Sequence, residues 1–231
     1  MPANLLKKWG ALLRPSLSKR AIKAFAKRFD LVYFGHIDHR YDEHAVIRGV
    51  TASAHHIDNH FAVGTLKGRD MSVLERTNTL RFPGKPASEY TWIILQIDLS
   101  DGLELPHIFI DAFHHDELFY ANLFVNFANF QLAQSLFVHH DPLFHQHFKV
   151  YVPTDKFDDV AALFDNETTS MLAHHFTKFD YEIEDNILYV YASNQYATER
   201  DIEQMARIGL WLANKLEAQA SHLQSLHQAN K

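Results

Sequence analysis

Residues 179–193 read FDYEIEDNILYVYAS, and this stretch decides the fold. Apolar and acidic residues alternate through FDYEIE, and β-branched and aromatic residues fill NILYVYAS, so each half has the character of a strand. Between them Asp185-Asn186 offers two residues that tolerate a left-handed backbone, and the spacing predicts a tight hairpin. Toward the C-terminus, Thr198-x-x-Asp201 resembles a capping box and opens a long helix whose buried stripe is Ile202, Met205, Gly209, Leu212 and Leu216. Residues 221–231 read as a polar tail. Toward the N-terminus, ETTSMLAHHF reads as a short helix, DKFDDVAALFD as a helix opened by Thr154 and Asp155, and HFKVYVPT as a strand. Strand, helices, hairpin and long helix together predict an α+β fold, a largely antiparallel sheet covered by helices.

Further upstream, YTWIILQIDL (residues 90–99) carries a continuous apolar core suited to a central strand. The connection SDGLEL leads to HIFIDAF, which is expected to complete a hairpin with it. HAVIRGVTASA, HFAVGTLKG and MSVLERT, separated by Gly49, Gly64 and Gly68, predict a meander of strands. Residues 113–148 hold eight phenylalanines: Phe113, Phe119, Phe124, Phe127, Phe130, Phe137, Phe144 and Phe148. Such density can line an apolar ligand pocket, but with no polar groups converging on one, a phenylalanine-built core is the preferred expectation.

Several of these segments together resemble a bacterial domain family of unknown function. LELPHIFIDAF, Phe144-x-x-x-Phe148-Lys-Val-Tyr with Asp155 and Ala161 downstream, TTSMLAHHF and NILYVYA follow that family's order of strand, helix, hairpin and terminal helix. The likeness spans roughly residues 45 to 216 and rests on hydrophobic, positional motifs. The resemblance implies a fold and supplies no catalytic residues. Some relatives carry transmembrane helices before the domain, and here a basic segment stands in that place.

That segment dominates the charge pattern. The chain of 231 residues has net charge −6. Residues 1–29 contain no acid, yet hold Lys7, Lys8, Arg14, Lys19, Arg20, Lys23, Lys27 and Arg28. Thus eight of the chain's 22 Lys and Arg lie there, and the other 14 share the remainder with 28 acids. Leu5, Leu6, Trp9, Leu12 and Leu13 fall on one helical face, and beyond Pro15 so do Ile22, Phe25 and Phe29. The expected organisation is an amphipathic helical arm (1–29), a single α+β domain (30–220) and the tail. The arm is expected to dock on the acidic body or on a second copy of it, making a homo-oligomer. As an alternative, it lies on an anionic membrane surface with Trp9 inserted, or meets a protein partner. Nucleic acid is disfavoured, because the acidic body repels phosphate.

The absence of cysteine excludes disulfides, thiolate ligands and a cysteine nucleophile, and fits a reducing compartment. No stretch approaches the roughly 18 apolar residues that cross a bilayer, so the expectation is a soluble, cytoplasmic protein, at most peripheral to the membrane.

Seventeen histidines make the chain histidine-rich, with pairs at His55-His56, His114-His115, His139-His140 and His174-His175. On a strand, His56, Asp58 and His60 would share one face and offer imidazole and carboxylate ligands to zinc. Consecutive same-face residues lie roughly 6 to 7 Å apart at Cα, so one coordination sphere would need strong curvature. HHDPLFHQH sets His139, His140, Asp141, His145 and His147 about a proline turn, a second candidate ligand set. The acids at Asp155, Asp158 and Asp159, and at Glu182, Glu184 and Asp185, read as helix starts and solvent faces of strands. P-loop, dinucleotide-fingerprint and serine-elbow motifs are all missing. The preferred functional expectation is therefore a non-enzymatic interaction module, and its alternative a metal-dependent hydrolase built on a His/Asp cluster.

Overall fold

The computed structural model describes residues 17–36, 56–80, 84, 86–103, 105–112, 129–193 and 198–229. The hairpin that decides the fold lies mid-sheet. Strands β8 (Asp180–Glu184) and β9 (Ile187–Ser193) pair antiparallel across a turn in which Asp185 (φ 50°) and Asn186 (φ 60°) both take the left-handed backbone. Two successive positive φ values match the twist of the flanking strands, which is why short polar residues occupy this turn.

The described sheet has the order β1-β2-β3-β4-β9-β8-β5-β7-β6, and its recorded pairings are all antiparallel. Its remaining strands are β1 (Val32–His36), β2 (His56–Leu66), β3 (Arg69–Leu80), β4 (Ser88–Asp98), β5 (Ile108–Asp111), β6 (Phe130–Leu132) and β7 (Lys149–Pro153). One expectation is corrected here. YTWIILQIDL and HIFIDAF do not form a hairpin with each other, because β9 pairs with β4, β8 with β5, and the later hairpin enters between them. The segment HAVIRGVTASA lies outside the described residues.

Helices cover one face. α1 (residues 17–28) packs near the β1 edge, while α2 (Pro142–His147), α3 (Phe157–Leu163) and α4 (Asn166–His175) cluster beyond the centre. The long α5 (Glu199–Ala229) crosses β4 and β9. Asp201 N–H bonds the Thr198 hydroxyl at 3.2 Å, the cap read in the sequence, and the helix runs on through the segment expected to be a tail. Thr154 and Asp155 instead form a short 3-10 turn, and no side chain caps α3.

The core lies between this helical layer and Ile93, Leu95 and Ile97 of β4, Leu188 and Val190 of β9, and Ile108 and Ile110 of β5. Of the eight phenylalanines expected to build the core, Phe137, Phe144 and Phe148 fill its far end and Phe130 is half-buried, while Phe113, Phe119, Phe124 and Phe127 lie outside the described residues. A Cβ on Gly209 would come within 2.6 Å of Ile97 Cδ1, so glycine sets how closely α5 approaches the sheet. Ala21, Ile22, Phe25 and Ala26 of α1 belong to the same core, so the described part of the basic arm is built into the domain.

Candidate functional site

The periodicity that puts Ile93 and Val190 under α5 sends their neighbours to the opposite face, which is also buried and unusually polar. Cross-strand register aligns Leu74, Ile94, Tyr191 and Asp180 in one row. Ser72, Gln96, Tyr189, Glu182 and Phe109 form the next. In a third, Asp58 faces Arg76, which faces Trp92. Arg76 donates from Nε and Nη2 to the two Asp58 oxygens at 2.7 Å each, with both side chains fully buried.

This pairing decides what happens to the first histidine set. A bulge between Asn59 and Ala62 puts His60 in the left-handed region (φ 58°) and turns it away from Asp58. His60 Nδ1 shares a 2.9 Å hydrogen bond with the Tyr33 hydroxyl, beneath α1. Burial, then the charges of Lys19 and Lys23, hold its pKa below the ordinary value. His56, Asp58 and His60 are thus not gathered on one point.

The second set is dispersed as well. His140 Nδ1 meets Thr169 Oγ1 at 2.9 Å, and His145 Nδ1 meets Gln134 at 2.9 Å while its Nε2 bonds the Phe137 carbonyl. Asp141 caps α2 through Leu143 N–H (2.9 Å) and accepts from Ser170 and His174, so the segment ties α2 to α4. Leu143 N–H foremost lowers the Asp141 pKa. His139 is exposed and His147 half-buried, and neither joins these contacts.

Among the described residues, one group of three brings metal-ligating atoms together: His107, Glu182 and Glu184, within 4.8 Å of one another. His107 Nε2 lies 2.6 Å from Glu182 Oε1, and its Nδ1 lies 3.8 Å from Glu184 Oε1. The Tyr191 hydroxyl donates to Glu182 Oε2, and Phe130 packs edge-on against the imidazole at 4.5 Å. Glu182 is fully buried, with His107 and Glu184 at 13% and 15% side-chain exposure. Nearby, Asp180 accepts from Ala112 N–H at 2.7 Å. Burial first, then the charges of Asp180 and Asp111, raise the Tyr90 pKa. The expectation that Glu182 and Glu184 sit on a solvent face is corrected: β8 is interior to the sheet, and its acidic side is covered. The strand's neighbour carried a clue, since LYVYA in β9 is apolar and aromatic on both faces.

A second feature lies at the other end of the fold. α1 buries Ser18, Ala21, Ile22, Phe25 and Ala26 and exposes Leu17, Lys19, Arg20, Lys23, Lys27 and Arg28. Arg28 bonds Glu203 on α5, and Lys23 lies 4.9 Å over the Tyr33 ring. Among the described residues, no acid pairs with Lys19, Arg20 or Lys27. Between the two helices runs a groove of about 560 Å³ whose lining includes Arg28, Arg200 and Arg207 as well as Glu199 and Glu203. Trp9, Lys7, Lys8 and Arg14 lie outside the described residues. Among the described residues, no helix is long and apolar enough to cross a membrane.

Neither a family model nor a curated protein sequence matches the chain. In fold it is similar to the mycobacterial trehalose monomycolate transport factor A, TtfA. That crystal structure superposes with a TM-score of 0.56 over 87% of this chain and 93% of the other, at 11% sequence identity.

Proposed function

We propose that the chain is a non-enzymatic interaction module, peripheral to an anionic membrane surface that it contacts through the exposed face of α1. The observation that carries this is the segregation of that helix: Ile22 and Phe25 are fully buried, while Lys19, Arg20, Lys23, Lys27 and Arg28 all face solvent beside an exposed Leu17. Each cation held near an anionic leaflet contributes about 1 kcal/mol, screened by salt over a Debye length of about 10 Å. The acidic remainder of the chain is repelled by the same leaflet, which would fix the orientation of the body above it. Lys7, Lys8 and Arg14 extend the charge, and Trp9 supplies the aromatic anchor. The fold similarity gives support in that TtfA is described as a transport factor. Membership of the bacterial family suggested by the sequence motifs, and a cytoplasmic location, belong to the same proposal.

The test is sedimentation of the full chain with vesicles of phosphatidylcholine, alone or enriched in phosphatidylglycerol. The expected result is binding to the anionic vesicles only, weakening as salt rises, and release by the triple variant Lys19→Glu, Lys23→Glu, Lys27→Glu. Equal binding to neutral vesicles, or full retention of the triple variant, would overturn the proposal.

A further inference from the structure

The buried cluster on the opposite face is not used by the membrane reading, and it carries an inference of its own. We infer that His107, Glu182 and Glu184 form a binding site for one divalent cation of the zinc or manganese class. Glu182 and Glu184 are two apart on β8, so both carboxylates leave the same side of the strand. His107 reaches them from the residue just before β5, the strand paired with β8 on the side away from β9. Two residues on one strand would be too far apart at Cα to share an ion by themselves. Long glutamate side chains, and a third ligand from the next strand, close the distance to 4.8 Å.

Ligand atoms bound to one such ion at about 2.0–2.2 Å lie roughly 3 to 3.5 Å apart. Here Nε2 lies 2.6 Å from Glu182 and Nδ1 lies 3.8 Å from Glu184, so reaching that geometry needs rotation of the side chains until one imidazole nitrogen faces both carboxylates, whose ligand atoms already lie within 4.8 Å of it. One imidazole and two carboxylates make a mixed donor set. Imidazole suits zinc, and carboxylates extend the range toward manganese. The surroundings are those of a supported site. The Tyr191 hydroxyl holds the second oxygen of Glu182 and orients the carboxylate, and the Phe130 ring backs the imidazole. Near-complete burial lowers the local dielectric and limits competition from water. Bound there, the ion would tie β5, only four residues long, to the central hairpin.

The experiment is calorimetric titration of the untagged, chelator-treated full chain with zinc chloride and, separately, manganese chloride, read beside thermal unfolding. The expected result is one saturable site per chain, a raised Tm on loading, and loss of that site in His107→Gln and in Glu184→Gln. Tyr191→Phe should retain the stoichiometry and weaken affinity about 10- to 100-fold. Glu184→Gln serves if His107→Gln fails to fold, because Glu184 is the more peripheral ligand. The histidine pairs provide the competing outcome. If the stoichiometric site survives both substitutions, or is lost instead in His139→Ala with His175→Ala, the metal is adventitious on surface imidazoles and the inference falls. No saturable binding by either metal would overturn it as well.

Discussion

Glu217 shows how much one carboxylate can hold in this chain. Its oxygens accept from Arg69 Nη1 at 2.6 Å and Nη2 at 2.5 Å, and the Ser100 backbone N–H adds a third bond at 2.7 Å. The Arg69 hydrogen bonds foremost bring its pKa down from 4.5 to about 2. A folded-state pKa below the unfolded one stabilises the fold above the unfolded value, and that contribution disappears as pH falls through the folded value. The window is therefore pH 4.5 down to 2, and after screening at this partly exposed site the stake is about 1–3 kcal/mol. In acid titrations followed by urea unfolding, Glu217→Gln should be less stable than the parent at pH 6 and converge with it near pH 2. Asp58 is a different kind of case. Its partner Arg76 is fully buried, so Asp58→Ala removes the carboxylate that accepts two of that guanidinium's hydrogen bonds and should cost about 3–5 kcal/mol in the same assay. Asp58→Leu combined with Arg76→Met should recover most of that loss, because the pair's own desolvation cost goes with it.

At the scale of elements, legibility followed from how local the determining physics is. The Asp185-Asn186 turn, the Thr198 cap and the stripe of α5 depend on residues within a few positions of one another, and the sequence reading of all three agrees with the structure. The partner of β4 depends on a segment about ninety residues later, and nothing in YTWIILQIDL indicates whether its neighbour is the next strand or one that arrives last. The burial of Glu182 is hidden for the same reason, since alternation of acidic and apolar residues describes equally a strand facing water and a strand whose polar side is covered. His60 is turned away from Asp58 by a local feature that composition hides, the bulge between Asn59 and Ala62. α1 has a direct consequence for experiment. Cutting residues 1–29 removes Ile22 and Phe25, each worth about 1.5–3 kcal/mol of burial, from the core. Circular dichroism and urea unfolding should find that truncation strongly destabilised, whereas the triple Lys→Glu variant should unfold at nearly the parent's urea concentration. Charge reversal, unlike deletion, therefore separates surface binding from folding.

At the scale of the whole molecule, one continuous sheet serves two layers. One face holds an apolar core against the described helices α1 to α5, and the other buries an ion pair, aromatic rings and the His107 cluster. The two features proposed to act, the basic helix and the His107–Glu182–Glu184 cluster, lie on opposite faces and toward opposite ends of the strand order, so either can be altered without touching the other. The late arrival of the β8–β9 hairpin has a further meaning for the chain as it is made. β4 leaves the ribosome with β3 as its partner on one side and must then wait, because the strand that completes it on the other begins at Ile187. During that interval Trp92, Ile93, Ile94 and Leu95 form an open edge of adjacent apolar residues, the type of segment that captures strands from other chains. Synthesis of this protein thus carries a period of vulnerability set by topology, closed only when the last fifth of the chain threads its hairpin between two strands already made.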